Sequence, residues 1–210
     1  MERPVIIFGT GGLAQTALNI FVQNEVLVYG FLSESEEQVR QTINEVLVVG
    51  TVDDESLLRR TLADAEVFVA LEDTAERIEL TKTLLKQYKK MPINAIHRSA
   101  QLPHDLHIGH GNLIGAGVNV GPAVRVGNHC IIQSGSQLLH QVEIGDGSYV
   151  GAGAIIGARV KLGQEVFVGS GVVVGEGIRL GDRAKAGAGA VVVRHVKAET
   201  TVWGNPAQEI

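Results

Sequence analysis

Cysteine is nearly missing from this chain: Cys130 stands alone among 210 residues. No internal disulfide can form, which excludes a disulfide-stapled secreted scaffold and suits a reducing compartment, so a cytoplasmic location is expected. Long apolar runs are also missing, and none approaches the length of a membrane span. The opening stretch, Met1 to Phe8, enters a strand-like run at once without a cleavage-site pattern, so no signal peptide is expected. Lys and Arg are nowhere clustered and the formal charge is −5, which argues against nucleic acid or an anionic membrane as partner. Glycine is scarce in the first hundred residues, with five of the 26, and abundant afterwards. The two halves therefore have different architectures. At 45% hydrophobic residues the chain can bury a core, which excludes disorder.

What the second half has is a period. Stepping by six from Leu102 meets Ile108, Ile114, Val120 and Val126, and every further step to Val192 is apolar, sixteen positions without a miss. At the chain's apolar content one phase would do this by chance roughly three times in a million. Glycine follows twelve of the sixteen, as at Gly109, Gly145 and Gly181, and the position four after each is mostly small or β-branched, as at Val118, Cys130 and Ala154. Neither a helical nor an alternating-strand period fits this pattern. A flat six-residue strand with a tight corner does, three hexapeptides closing one triangular coil that stacks on the next. The apolar residue then points inward, the small residue fits the corner, and glycine permits the corner's backbone geometry. Cys130 reads as a small core residue in this pattern, not a nucleophile.

Residues 4–95 read as alternating strands and helices. Strands are expected at Val5–Phe8, Val26–Leu32, Val46–Val49 and Val67–Leu71, with a last short one near Ile93. Helices are expected from Leu13 to about Gln23, from about Asp54 to Leu62, and from Thr74 to about Lys89. Gly9-x-Gly11-x-x-Ala14 fits the relaxed glycine fingerprint between strand and helix, where phosphate can approach backbone N–H groups, and Glu34 follows Ala14 by twenty residues. A redox dinucleotide and a purely structural turn are both readings of that weak motif. A unit this short is only half of a two-lobed dinucleotide fold.

The [LIV]-G-x4 array resembles the hexapeptide-repeat acyltransferases, and Val202-Trp203-Gly204-Asn205-Pro206-Ala207 is similar to the tail that follows their last coil. A small α/β unit, then Asn94 to Ala100, then an uninterrupted β-helix resembles the sialic-acid and bacillosamine type of sugar acetyltransferases. The resemblance implies a Rossmann-like α/β domain over 1–95 that holds a sugar or nucleotide-sugar acceptor. It also implies a left-handed parallel β-helix over 96–210, a homotrimer, and acetyl-CoA lying along a groove between adjacent β-helices. By the same matching, Gly11, Gly12, Leu13, Ala14, Ser33, Glu34, Asp73 and Arg77 would bind the acceptor. Ala158, Ser170 and Ala188 would line the acetyl-CoA groove, largely through backbone atoms, with Tyr149 replacing a second histidine near the thioester. The chain departs from the family at Leu13 and Gln15, at Ser33 and Glu34, and at Leu71, Glu72 and Thr74.

His140 matches the family's catalytic histidine. Its flanking repeats, at Gln133 and Leu139, replace the usual glycine, and departures from a regular pattern are where function often sits. Acetyl transfer from a thioester needs a base for the attacking amine or hydroxyl, and imidazole can accept that proton near neutral pH. Gln141 replaces the family's acidic residue and can orient the ring without adding charge. The other histidines read as structural (His97), as solvated corner positions (His129, His195), or as a spaced set at the first coil (His104, His107, His110) with no ligands to complete a metal cage. No metal is expected.

Two further readings stay open. In trimeric β-helix carbonic anhydrases three histidines hold zinc; His104 and His140 lie 36 residues apart, but the third position falls on Gly145. A non-catalytic nucleotide- or CoA-binding scaffold is the other. Among acetyltransferases, a free sialic acid or an amino acid is the rival acceptor.

Overall fold

A computed structural model describes residues 3–210; Met1 and Glu2, the start of the segment read for a leader, lie outside them. Its backbone divides into two compact units, one ending at Ala95 and one running from Ile96 to Ile210.

In the first unit, β1 (Val5–Phe8), β2 (Val28–Ser33), β4 (Val46–Thr51) and β5 (Glu66–Val69) form a parallel sheet, and β3 (Thr42–Ile43) pairs antiparallel on its edge. The sheet order is β3-β4-β2-β1-β5. Helices α1 (Gly12–Gln23), α2 (Glu55–Thr61) and α3 (Thr74–Thr83) connect the strands. Ile6, Phe8, Leu32, Val67 and Val69 are buried in one cluster with Leu58 and Leu62 of the α2 region. The central strands are apolar on both faces, as a parallel sheet covered by helices requires. The last short strand comes at Ala95–Ile96, two residues after Ile93, which itself donates one backbone bond to the Val67 carbonyl. Two expectations change here. The helix expected to reach Lys89 loosens into a π-helical turn over Leu84–Tyr88 and ends at Lys89 in the left-handed region. The β3–β4 hairpin was not foreseen, because Thr42–Ile43 is too short to show a period.

The second unit contains fifteen two-residue strands, from His107–Ile108 to Val191–Val192, stacked as three parallel sheets in an 18-residue register. This regular repeat fits a left-handed parallel β-helix. Each coil visits the His107 face, then the Leu113 face, then the Asn119 face. The inward residues Ile114, Ile132, Leu138, Val150, Ile156, Leu162 and Val168 form one continuous core with Val118, Cys130, Val142, Ala154 and Val160. Fully burying such a side chain stabilises by about 1.5–3 kcal/mol, and the coils share that core without interruption. Backbone bonds climb from coil to coil, as from Gly109 to Val126, Gly127 to Ile144, and Gly145 to Leu162. At the top, Thr201–Trp203 adds to the Leu113 face and Gln208–Glu209 turns back antiparallel upon it.

Three details correct the expected coil. Its strands have two residues each, not six, so most of each hexapeptide is turn. Leu102 remains half-exposed outside any strand, because no coil precedes it to cover it. The glycine after each inward residue is there for closeness, not for a special dihedral: a Cβ on Gly145 would lie 2.5 Å from the Gly163 carbonyl oxygen. The left-handed position falls two residues later, at Gly117, Ala123, Gln141 and Arg159 alike.

Candidate active site

His140 sits at the corner that follows the Asn119 face, stacked in register with Pro122 below and Ala158 above. Gln141 N–H donates to the Pro122 carbonyl at 2.9 Å, and the His140 carbonyl accepts from Arg159 at 3.0 Å. Gly121 makes this stacking possible, since a Cβ there would lie 2.8 Å from the His140 nitrogen. The backbone of His140 is therefore held from both sides while its side chain is exposed. Asn119, Pro122, Gln137, Leu139, His140 and Gln141 line a cleft of about 550 Å³ whose surface is mostly apolar. Leu139, exposed in place of the usual glycine, supplies part of that apolar wall.

Gln141 makes no hydrogen bond to the imidazole in this structure. It occupies the left-handed corner at φ 58°, and among the described residues neither its side chain nor that of His140 has a hydrogen-bond partner. Consecutive residues at such a corner diverge, so the ring is free to turn toward a reactant. Ala158 is buried, which leaves its backbone and not its methyl group to line a groove. Ser170 and Ala188 are exposed, but they occupy the corner after the Leu113 face, a different edge of the coil stack from His140. Tyr149 lies on the Leu113 face itself, half-buried and stacked on Phe167 with ring centroids 5.1 Å apart. One chain thus does not gather the expected acetyl-CoA residues around the expected base. The residues that the sequence reading missed are Asn119, Pro122 and Gln137, whose only signal was their 18-residue offset or outward register relative to His140.

The residues assigned to the acceptor by resemblance gather at the carboxyl ends of β1, β2 and β5, but most are engaged by the fold. Leu13 and Ala14 are buried. Ser33 is buried, donates to Gln38 at 2.5 Å and accepts from the Ser35 N–H at 2.9 Å. Asp73 caps α3 by accepting from the Glu76 N–H at 3.0 Å. The Arg77 guanidinium is buried and donates to the Leu71 carbonyl at 2.7 Å and the Thr74 hydroxyl at 3.1 Å. It shapes the loop after β5 and is not displayed to a ligand, because a buried charge must be saturated by such acceptors. Gly11, Gly12, Glu34 and Asp73 are the exposed members of the set.

His129, read as a solvated corner residue, is buried instead and packs edge-on against His110 at 5.1 Å. Burial lowers the His110 pKa, and the nearby Asp146 carboxylate opposes the shift. The unfolded chain therefore takes up the proton first. The stabilising contribution is present above the ordinary histidine value and is lost as pH falls below about 6.5 toward the depressed folded value. Thermal melts of the wild type should drop more steeply than those of His110→Asn between pH 7 and 5; parallel curves would contradict the assignment. Among the described residues no cluster of three or more His, Cys, Asp or Glu side chains could hold a metal, and no helix is long and apolar enough to cross a membrane.

No curated protein sequence matches the chain. The family model described as the GMPPB C-terminal domain matches residues 94–204, more than half of the chain. The chain belongs to that family. Among solved structures, this family member is similar to a histidine-to-alanine mutant of GDP-perosamine N-acetyl transferase from Caulobacter crescentus, in complex with CoA and GDP-perosamine. The identity is 26% over 99% of this chain and 96% of that one, with a TM-score of 0.91. The acetyltransferase domain of PglB from Neisseria gonorrhoeae, in complex with acetyl coenzyme A, shares the fold at 21% identity, full coverage of both chains and a TM-score of 0.90. WeeI from Acinetobacter baumannii shares it at 20% identity over 99% of each chain, with a TM-score of 0.84.

Proposed function

We propose that the protein transfers the acetyl group of acetyl-CoA to an amino or hydroxyl group of a sugar, a nucleotide-linked amino sugar above all, with His140 as general base. The observation that carries this is the full-length likeness to an N-acetyl transferase holding CoA and a nucleotide-linked amino sugar. His140 standing free at a cleft supports it.

The chemistry balances with one base. The acceptor nitrogen or oxygen attacks the thioester carbonyl carbon, the new C–N or C–O bond forms, and the carbonyl oxygen becomes an oxyanion. Its collapse breaks the C–S bond and releases CoA thiolate. The proton leaving the acceptor passes to the imidazole and from there to the thiolate. Backbone N–H groups at coil corners would donate to the oxyanion.

A homotrimer is what the family resemblance implies, and the placement of the other residues calls for at least one further copy. Ser170 and Ala188 lie on one edge of the coil stack and His140 on another, so a groove containing both needs a second copy to bring the edges together. The Rossmann-like reading of residues 1–95, and their role in holding the acceptor, rest on the parallel β4-β2-β1-β5 order and its reversal beside β1. Cys130, the single cysteine, is buried and no internal disulfide can form, which suits the cytoplasm.

The test is thiol release from acetyl-CoA in the presence of UDP-, GDP- and dTDP-linked amino sugars, free amino sugars and free sialic acid. Release dependent on one nucleotide-linked amino sugar is expected. Acetyl-CoA that neither binds nor turns over with any acceptor would remove the proposal.

A further inference from the structure

We infer that Glu72 is a specificity residue that closes the glycine loop after β1 to phosphate, so an acceptor must keep its anionic groups away from the N-terminus of α1. The inference rests on the reading of residues 3–95 as the part that holds the acceptor.

The sheet order makes this the place to look. From β1 the chain moves outward through β2 and β4, then returns to the other side of β1 as β5. In open α/β sheets ligands bind outside the carboxyl ends of the strands at such a reversal, here between the ends of β1 and β5. The two ends touch: a Cβ on Gly9, at φ 108°, would lie 2.8 Å from the Ala70 carbonyl oxygen. Two residues beyond Ala70, Glu72 reaches across, and its Oε1 accepts the Leu13 backbone N–H at 2.8 Å. Its carboxylate fills the space beside Gly11, where a Cβ would meet Oε1 at 2.9 Å.

The N-terminus of a helix attracts anions through its free N–H groups and its dipole. In this chain the chain's own carboxylate already takes that position. Nothing in the first turn of α1 supplies a compensating basic side chain, and Gly11 offers no side-chain cap. The loop that presents Glu72 is fixed as well: Arg77 is buried against the Leu71 carbonyl, and Asp73 caps α3. A phosphate at Gly11–Leu13 must either displace this carboxylate or sit against a like charge. The glycine fingerprint that suggested a phosphate-binding loop therefore holds for the backbone and fails for its charge.

The experiment uses the full chain with inorganic pyrophosphate and GDP as probes, read by calorimetry and by the amide resonance of Leu13. In the wild type, pyrophosphate should leave the Leu13 amide unmoved. Glu72→Ala should bind pyrophosphate at least tenfold more tightly, with the Leu13 amide shifting. Glu72→Gln keeps a hydrogen-bond acceptor for Leu13, so it guards against a failure to fold, and should show a smaller gain. A Leu13 shift with pyrophosphate in the wild type, or no gain in either variant, would overturn the inference. Thiol release from acetyl-CoA, measured in parallel, tests the acetyl-transfer reading separately. Its failure would leave these binding results standing, and the reverse holds too.

Discussion

His140→Ala should lower kcat by about 10²–10⁴-fold, the usual effect of removing a general base, while acetyl-CoA still binds. The geometry makes this a clean experiment. The imidazole is exposed and makes no hydrogen bond among the described residues, so truncating it leaves no buried group unsatisfied and no cavity. The melting temperature should stay within about 1–2 °C of wild type, as for surface changes worth under about 0.5 kcal/mol. The backbone that carries the residue is held by the Gln141–Pro122 and His140–Arg159 hydrogen bonds, which the substitution does not touch. The decisive reading is the pH dependence of kcat/KM. The wild-type profile should rise through one ionisation that the variant lacks. If the two profiles differ only by a constant factor, His140 positions the acceptor and another group takes the proton.

The β-helix was legible because its period repeats. A six-residue phase with an inward apolar residue at every step leaves little freedom, and the observed core contains those residues from Ile108 to Val192 in register. The limits of legibility were physical. The glycines after the inward residues mark close approach between coils, and a sequence does not distinguish that need from a need for unusual dihedrals. His129 shows the same limit: a corner position was read as solvated, but a second histidine one coil below, His110, buries it. In the first unit, the strands and helices followed from the alternation of apolar runs with helical stretches, while β3 was too short to leave a signal. The acceptor loop was legible as backbone but not as chemistry. Ser33, Asp73 and Arg77 have the right types for ligand binding, and each is used by its neighbours at hydrogen-bond distance. Only three-dimensional contact separates a polar residue that faces a ligand from one that closes a loop.

Gly121→Ala tests the link between coil stacking and catalysis, and should cost both stability and turnover. An added Cβ would lie 2.8 Å from the His140 nitrogen, 3.0 Å from the Leu139 carbonyl carbon and 3.2 Å from the His140 Cα. All three neighbours are backbone, so no flexible side chain can yield. Either the coil bearing His140 shifts outward or the Gly121–Leu138 hydrogen bond, 2.7 Å long, stretches. Overpacking of this kind costs about 1–3 kcal/mol, which for a chain of this size lowers the melting temperature by about 2–12 °C. A displacement near 1 Å at a reacting group can cost about a hundredfold in rate, so kcat should fall by about ten- to a hundredfold although the imidazole is intact. Gly117→Ala is the matched control. Gly117 sits at φ +66° with nothing within 4 Å of an added Cβ, so its cost is conformational alone, about 1–2 kcal/mol. It should melt earlier and turn over normally. A Gly121→Ala protein with wild-type kcat would mean that the backbone stack does not set the position of His140, and the cleft itself would then have to hold the ring.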